Sequence, residues 1–360
     1  MRSVSMMQLR RIAALARIEG LRLLLDRASL GLILVVPAVQ LILFGYAINL
    51  TPRNLPLAVA HSCDPYVAPL TRAAMTAGGF RLIPTAPREE AAEYISDGRA
   101  LVAIDCPPGH APHVLADATD PSAVHPAIAA LEAALTQQAV QSLLPVDRPA
   151  PVVQWLYNPD SRTAWFLAPG LVGVIVMITT LMLGALTIVR EREQGSWECL
   201  LATPVSAAEA LLGKLSPYVA IAVVQAMIVI VAGRVLFDLP VLGSLAALLA
   251  ASACLALAHL TLGFAVSALA ESQVQAIQAA IFFYLPSMLL SGFMFPFEGM
   301  PRWAQLLGEV LPLTHFVRAA RGVLLKGYSA TAVCTEMWPV AVFAAATALV
   351  ALRTFRHRLN

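Results

Sequence analysis

Long apolar runs, separated by short polar stretches, divide most of the chain. About 20 apolar residues suffice for a helix to span the hydrocarbon core of a bilayer. Six runs approach or exceed this length, and they cover residues 28–50, 165–189, 215–233, 241–268, 274–295 and 331–352. The pattern predicts an α-helical integral membrane protein with six transmembrane helices. The last five runs would form a transmembrane domain that occupies residues 164–360.

Residues 51–163 follow a different pattern, with frequent acidic and proline residues and short alternating runs. Alternation over four to eight residues is typical of strands. The predicted strands are 55–60, 80–83, 100–105 and 152–157, and the helices between them lie near 87–98 and 128–140. Strands that alternate with helices predict a small α/β domain with a partly parallel sheet, inserted between spans 1 and 2.

Basic residues orient the predicted spans. Residues 1–27 carry six arginines interleaved with apolar residues, which predicts a cytoplasmic amphipathic helix on the anionic inner membrane surface. A cleaved signal peptide is disfavoured, because no small-residue cleavage site follows the first apolar run. The positive-inside rule then places both termini in the cytoplasm and residues 51–163 outside. Arg353, Arg356 and Arg358 at the carboxyl end agree with six crossings.

The polar loop 190–214 between the second and third runs resembles two short helices. Trp197, Leu200 and Leu201 share one apolar face, whereas Glu191, Arg192, Glu193 and Glu198 occupy solvated positions. Thr203-Pro204 ends the first helix. Ser206 with Glu209 forms a capping box, which predicts a second helix that runs into the membrane. A solvated loop with helical character is the alternative interpretation.

Composition limits the class of function. The chain is 59% hydrophobic and 13% charged, which indicates an integral membrane protein, and the net charge of +2 gives no reason to expect nucleic acid as a partner. The spans hold almost no ionisable residues besides His259 and Arg234, which disfavours an ion-coupled carrier. We expect His259 to hydrogen-bond a neighbouring helix. No hydrolase or metalloprotease motif is present, and the nearest approach to a phosphate-binding loop, at Gly213-Lys214, lacks the first glycine and the hydroxyl residue.

Two cysteines and two histidines in residues 51–163 are candidates for a disulfide and a metal site. Cys63 follows the first predicted strand and Cys106 ends the third, so their strand ends would be close enough for a disulfide if the two strands are neighbours. Two independent buried thiols are the alternative. His110 and His113 lie in a proline-rich stretch without a partner ligand at a fixed offset, so we predict surface histidines and no metal site.

Two stretches carry a resemblance to a known family. The first is Glu191-x-Glu193-x-Gly195-Ser196-x-Glu198-x-x-Leu201-x-Thr203-Pro204, and the second runs from Leu290-Ser291-Gly292-Phe293-x-Phe295-Pro296 through Arg321-Gly322. Both resemble type-2 ATP-binding-cassette (ABC) exporter permeases, and in particular multidrug-efflux permeases with a large extracytoplasmic domain. Ser196 stands where the family more often has threonine.

The resemblance implies a transport subunit without catalytic residues. ATP and magnesium would be bound by a separate ABC ATPase that docks on loop 190–214, with coupling residues Glu191, Glu193, Gly195, Trp197, Glu198, Thr203, Pro204 and Glu209. A second permease subunit, identical or homologous, would complete the pathway in a bacterial inner membrane. A periplasmic adaptor is left open. A hydrophobic or amphipathic small molecule is the expected cargo, and the alternative function is a membrane-anchored receptor with a ligand-binding outer domain.

The stretch 296–330 conflicts with the orientation rule, because Arg302, Arg318, Arg321 and Lys326 would lie outside. Either one span has been miscounted, or the segment forms short re-entrant helices packed against protein, as the resemblance implies. The resemblance and the residue chemistry together suggest a pathway surface, although ordinary helix packing is the alternative for each residue. The residues predicted for this pathway surface are Met288, Gly292, Phe293, Phe295, Pro296 and Arg321.

Overall fold

We describe the protein from a computed structural model. The described residues are 6–25, 27–44, 55–60, 80–83, 91–96, 99–100, 102–105, 113–116, 128–129, 131–132, 162–195, 205–295, 297 and 300–359. The chain divides into two compact units. One comprises Met1–Ala47 with Ala164–Asn360, and the other is Ile48–Thr163.

The first unit is helical. Its elements are α1 (Met6–Leu25), α2 (Arg27–Ile42), α4 (Thr163–Glu193), α5 (Ala207–Phe237), α6 (Leu245–Leu269), α7 (Gln273–Leu290), α8 (Arg302–Val310), α9 (Pro312–Lys326) and α10 (Ala330–Leu359), whereas α3 (Ala91–Ser96) belongs to the second unit. Within the described ranges, five helices are long and apolar enough to cross a membrane, namely α4, α5, α6, α7 and α10. They correspond to predicted spans 2 to 6. Helix α2 is described over 16 residues, so the sixth crossing stays a prediction.

The ends of these helices follow sequence signals. Helix α5 begins after Ser206 and ends before Asp238, whose left-handed conformation (φ 53°) caps the helix. Helices α6 and α7 begin after Ser244 and Ser272, whose side chains accept hydrogen bonds from backbone N–H groups of the first turns.

Helix α4 lies at the centre of the helical unit and is apolar on every side, as expected of a helix surrounded by others. It crosses α6 at glycine positions. A Cβ atom built on Gly263 would lie 2.6 Å from the Leu181 carbonyl oxygen, and one on Gly184 would lie 2.7 Å from the Leu260 oxygen. Small residues allow such close backbone contact between membrane helices. Helices α6 and α10 are joined by the hydroxyls of Thr261 and Thr347, 2.7 Å apart.

The segment 296–330 contains two short helices, α8 of nine residues and α9 of fifteen. Both are too short to cross a bilayer. Helix α9 begins with Pro312 and ends at Lys326, and Gly327, which has φ 74°, caps it, so proline stands at its first position and glycine just past its end. Most of its side chains are buried, and Phe316 packs onto the backbone of α4 at Gly173. These features favour short helices packed against protein over a miscounted span.

The second unit contains a four-stranded sheet. Its strands β1 (Leu55–Val59), β2 (Phe80–Ile83), β3 (Val102–Asp105) and β4 (His113–Ala116) have the order β2-β1-β3-β4. β1 pairs in parallel with β2 and β3, whereas β4 is antiparallel to β3. The partly parallel sheet and its first three strands are therefore confirmed. The unit's placement on the outer side of a membrane stays a prediction.

Two details of this unit differ from the expectation or lie beyond it. The proline-rich stretch around His113 was expected to be a loop, yet it begins β4, because a short antiparallel neighbour can complete the edge of β3.

The carboxyl ends of β1 and β3 are adjacent, and the Ala60 N–H donates to the Ile104 carbonyl at 2.9 Å. Cys63, Cys106 and the predicted strand 152–157 lie outside the described residues, so the disulfide stays a prediction.

Candidate functional site

The predicted coupling loop is described at its two borders. Helix α4 ends at Glu193 and is followed by a turn at Gln194-Gly195, and the chain is described again from Val205. Trp197, Glu198, Thr203 and Pro204 lie outside the described residues. The first of the two predicted short helices therefore stays a prediction.

The capping box before α5 is confirmed. The backbone N–H of Glu209 donates to the Ser206 Oγ at 3.3 Å, and the Ser206 N–H donates to the Glu209 Oε2 at 2.7 Å. Arg11 of α1 reaches the same carboxylate, with Nη1 4.0 Å from Oε2. The start of α5 is thus fixed both by its own cap and by the N-terminal helix.

Glu191 does not occupy a solvated position, and that expectation is wrong. Glu191 is 9% exposed, and its Oε1 accepts a hydrogen bond from the buried Lys214 Nζ at 2.5 Å. Arg22 of α1 donates to the same oxygen at 3.4 Å. A carboxylate near the end of a long apolar helix is stable when buried only with such partners. Glu191 therefore ties the end of α4 to α5 and α1.

Helix α1 packs along the first half of α5. A Cβ atom on Gly213 would lie 2.7 Å from the Leu15 Cβ, so the two helices are in close contact there. The Tyr218 hydroxyl donates to the Glu19 Oε1 at 2.6 Å. The sequence predicted the amphipathic α1, and Glu19, an acidic residue in a basic helix, is the signal that indicates a protein partner. Lys214 is helical and paired with Glu191, an arrangement unlike that of a phosphate-binding lysine.

The same end of the helical unit includes the link between α6 and α7. Arg192 Nη1 donates to the Ala270 carbonyl oxygen at 3.0 Å. The Gln273 backbone N–H donates to the Glu193 Oε1 at 2.8 Å, and the Gln273 side chain bonds the other carboxylate oxygen. Glu193, unlike Glu191, is exposed. We use the name polar end for this part of the helical unit. It comprises the ends of α1, α4 and α6 and the starts of α5 and α7.

Gly195 closes the described part of the loop. It has φ 70°, a left-handed conformation that suits glycine, and its N–H donates to the Arg192 carbonyl at 3.2 Å. A Cβ atom built on Gly195 would meet no atom of the described residues within 4 Å. Its left-handed conformation is what favours glycine here.

The predicted pathway residues lie at the opposite end of α7 from the polar end. Phe293 is fully buried, its ring is 5.7 Å from that of Phe44, and it packs on the backbone of Gly170. Arg321 donates from Nη2 to the Phe293 carbonyl at 3.2 Å, and its guanidinium lies 4.1 Å from the centre of the Phe166 ring. In this structure Phe293 and Arg321 join α4 and α9 to the turn after α7.

The other pathway residues differ in exposure. Phe295 is 53% exposed, and Met288 is partly buried with its sulfur 3.4 Å from the Tyr284 hydroxyl. Gly292 has φ 77° in the turn after α7, and Pro296 lies outside the described residues. Phe295 is thus the most exposed of the predicted pathway residues that the structure describes.

The hydrogen-bond partner of His259 differs from the predicted one. Its Nδ1 lies 2.9 Å from the carbonyl oxygen of Leu255 in the same helix, whereas a partner on a neighbouring helix was expected. Its ring also meets that of Phe283 of α7 at 6.1 Å between centres, edge to face. A histidine so placed packs α6 against α7.

Comparison with known proteins decides the family. A family model described as "ABC-2 family transporter protein" matches residues 27–353, which is most of the chain. The chain belongs to this family. The match includes the polar end from α4 to α7 and the turn that carries Phe293.

Individual relatives agree with this assignment. The "Probable multidrug ABC transporter permease YbhR" of Escherichia coli K12 is 34% identical over 208 residues, which are 58% of this chain and 56% of that protein. The chain therefore spans little more than half of YbhR. The "Probable multidrug ABC transporter permease YbhS" of the same organism is 26% identical over 350 residues, 88% of this chain and 89% of that protein. "ABC transporter G family member 20" of Dictyostelium discoideum is 24% identical over 337 residues, 87% of this chain and 46% of that protein.

Proposed function

We propose that the chain is the membrane-spanning permease subunit of an exporter that moves a hydrophobic or amphipathic small molecule out of the cytoplasm. ATP and magnesium are bound by a separate ABC ATPase subunit, which docks at the polar end from the cytoplasm. A second permease subunit, identical or homologous, encloses the pathway. Residues 51–163 form an extracytoplasmic α/β domain, and an adaptor protein can contact it from the periplasm.

The observation that carries this proposal is the buried contact among Glu191, Lys214 and Arg22. It joins three helices at the border of the loop, because one carboxylate binds cations from α5 and α1. A displacement of the loop by an ATPase is thereby transmitted to α4, α5 and α1 together. Loosely attached loop ends would absorb the same displacement.

A location in the bacterial inner membrane follows from the multi-pass helices and the family. We place the polar end in the cytoplasm, since α1 brings Arg10, Arg11, Arg17 and Arg22 there. Unpaired apolar surface on α7, including Phe282 at 82% exposed, is available to lipid or to the second subunit. A receptor would need one or two spans, so five membrane-length helices favour transport.

The docking test uses co-purification. A tagged permease, expressed with its ATPase, should retain that subunit through affinity purification in mild detergent. Trp197→Ala with Glu198→Lys should reduce the retained ATPase at least tenfold, because both residues lie in the loop that it would contact. Arg302→Ala, an exposed residue of α8 at the opposite end, is the control and should retain the wild-type amount. Labelling of Gln194→Cys by a membrane-impermeant maleimide added outside intact cells would contradict the proposal.

The coupling test uses Gly195. Gly195→Pro should abolish ATP-driven efflux of an amphipathic fluorescent dye from cells, because proline fixes φ near −65° and removes the N–H that bonds Arg192. Gly195→Ala should have an intermediate effect, since a left-handed alanine costs about 1–2 kcal/mol. Gly195→Asn should export at nearly the wild-type rate, because asparagine tolerates this conformation.

Protein abundance and melting temperature are measured for each variant of this series, and export is compared per amount of folded protein, so that a loss of folded protein is separated from a loss of coupling. Equal export by the proline and asparagine variants would show that the turn does not transmit the ATPase's motion.

A further inference from the structure

A proline in α2 creates an unusual contact with α5. Pro37 has no N–H, so the carbonyl of Ile33, four residues earlier, loses its partner within the helix. The side chain of Gln225 replaces that partner, with Nε2 donating to the Ile33 oxygen at 2.9 Å and to the Thr179 Oγ1 at 3.1 Å. A carbonyl oxygen can only accept a hydrogen bond, so the Gln225 side-chain amide must turn its Nε2, and not its Oε1, towards Ile33.

This orientation leaves the other half of the amide without a partner among the described residues. Gln225 is 2% exposed, and its Oε1 is buried with no hydrogen-bond donor in that part of the chain. A buried carbonyl oxygen in this state is unfavourable, and in a membrane-spanning helix water does not relieve it. A donor from outside the chain would satisfy it.

Gln225 lines a cavity of about 120 Å³ between α2 and α5. Apart from Gln225, every side chain of the lining is apolar, and its buried apolar members are Ile33, Pro37, Leu41 and Val229. A buried water needs two to four polar partners, and Gln225 is the one polar side chain of this lining. An apolar cavity of about 150 Å³ holds benzene in another protein, so a single ring or a short branched chain matches this volume.

The cavity borders the outer surface of the helix pair. Ile42, Ile228 and Leu236 belong to its lining and are 52%, 46% and 44% exposed. All three are apolar and lie on helices that enter the membrane. A molecule dissolved in the bilayer therefore reaches the cavity from the side.

We propose that the α2–α5 cavity binds a bilayer-dissolved amphiphile that places one O–H or N–H donor on the Gln225 Oε1 and a ring-sized apolar group beside Val229. The hydroxyl-bearing end of a phenol is the simplest such group. The site depends on the packing of α2 against α5 alone, so it stands whether or not the chain exports its ligand.

The test compares phenol with toluene, which has nearly the same size and no donor. The full-length protein in lipid nanodiscs is labelled with a phenol that carries a photoreactive diazirine, and the labelled peptides are identified by mass spectrometry. Labels should fall on residues 33–42 and 225–236. Phenol should compete at about fivefold lower concentration than toluene, the difference expected from one hydrogen bond.

Three variants make the test specific. Val229→Phe fills the cavity and should remove labelling of both peptides. Gln225→Met keeps the volume and removes the acceptor, so phenol and toluene should then compete equally. Thr179→Val removes a contact of Nε2 but leaves Oε1 in place, and it should keep the wild-type preference for phenol.

Folding is checked by melting temperature, and Thr179→Val and Val229→Phe decide the outcome if Gln225→Met fails to fold. Equal competition by phenol and toluene in the wild-type protein would mean that acyl chains merely fill the crevice, and would overturn the proposal. Labelling that persists in Val229→Phe, or that falls elsewhere on the chain, would overturn it as well.

Discussion

Glu191→Gln should destabilise the permease by about 3–5 kcal/mol, the usual effect of removing one partner from a buried ion pair. The substitution leaves the Lys214 ammonium, 3% exposed, without its carboxylate. It also frees Arg22, which is half exposed and can turn to water. The measurement is the thermal unfolding of purified protein in detergent, together with the amount of protein that accumulates in membranes.

The matched variant is Lys214→Met, which should cost less than Glu191→Gln. Arg22 still contacts the carboxylate in that variant, so the remaining charge is partly compensated. The double variant Glu191→Gln with Lys214→Met should be more stable than Glu191→Gln alone, because no unpaired buried ammonium remains. Additive effects of the two single substitutions would show that Glu191 and Lys214 do not interact.

Gly263→Ala should destabilise the helical unit by about 1–3 kcal/mol, the range seen when close-packed sites are overfilled. Its new Cβ would lie 2.6 Å from the Leu181 carbonyl oxygen and 2.8 Å from the Ala185 nitrogen. Both are backbone atoms, so no side chain can turn aside and α4 must move away from α6. The loss should appear as a lower melting temperature and as less protein in the membrane.

Gly31→Ala is the matched control for that substitution. A Cβ atom on Gly31 would meet no atom of the described residues within 4 Å, and alanine favours helix over glycine by about 1 kcal/mol. It should therefore leave stability unchanged or raise it. Gly184→Ala, on the other side of the same crossing, should resemble Gly263→Ala, and the pair should cost less than the sum because either one separates the helices. A stable Gly263→Ala protein would show that the crossing is looser than the structure indicates.

Local patterns were enough to predict much of the fold. The apolar runs located α4, α5, α6, α7 and α10 because a membrane span is a property of consecutive residues. Ser206 with Glu209 located the start of α5, because a capping box needs only four residues. Three strands of the sheet were predicted from alternation alone.

Contacts between distant residues could not be predicted in this way. The burial of Glu191 depends on Lys214 and on Arg22, which lies 169 residues away in the chain. The hydrogen bond from Gln225 to Ile33 depends on a proline in another helix. A single glutamine in an apolar run does not indicate such a partner. Strand β4 was missed because its short sequence, within a proline-rich stretch, has little pattern of its own, and it exists through pairing with β3.

The packing of α1 against α5 has a consequence for biosynthesis. Glu19 and its partner Tyr218 are separated by 199 residues, so at 5–20 residues per second α1 leaves the ribosome about 10–40 s before its binding surface is made. An amphipathic helix alone in water for that time would be exposed to proteases and to aggregation. The arginines of α1 give it a temporary resting place, because anionic headgroups hold a basic helix at the membrane surface. The same charges that orient the finished protein thus protect its first helix during translation.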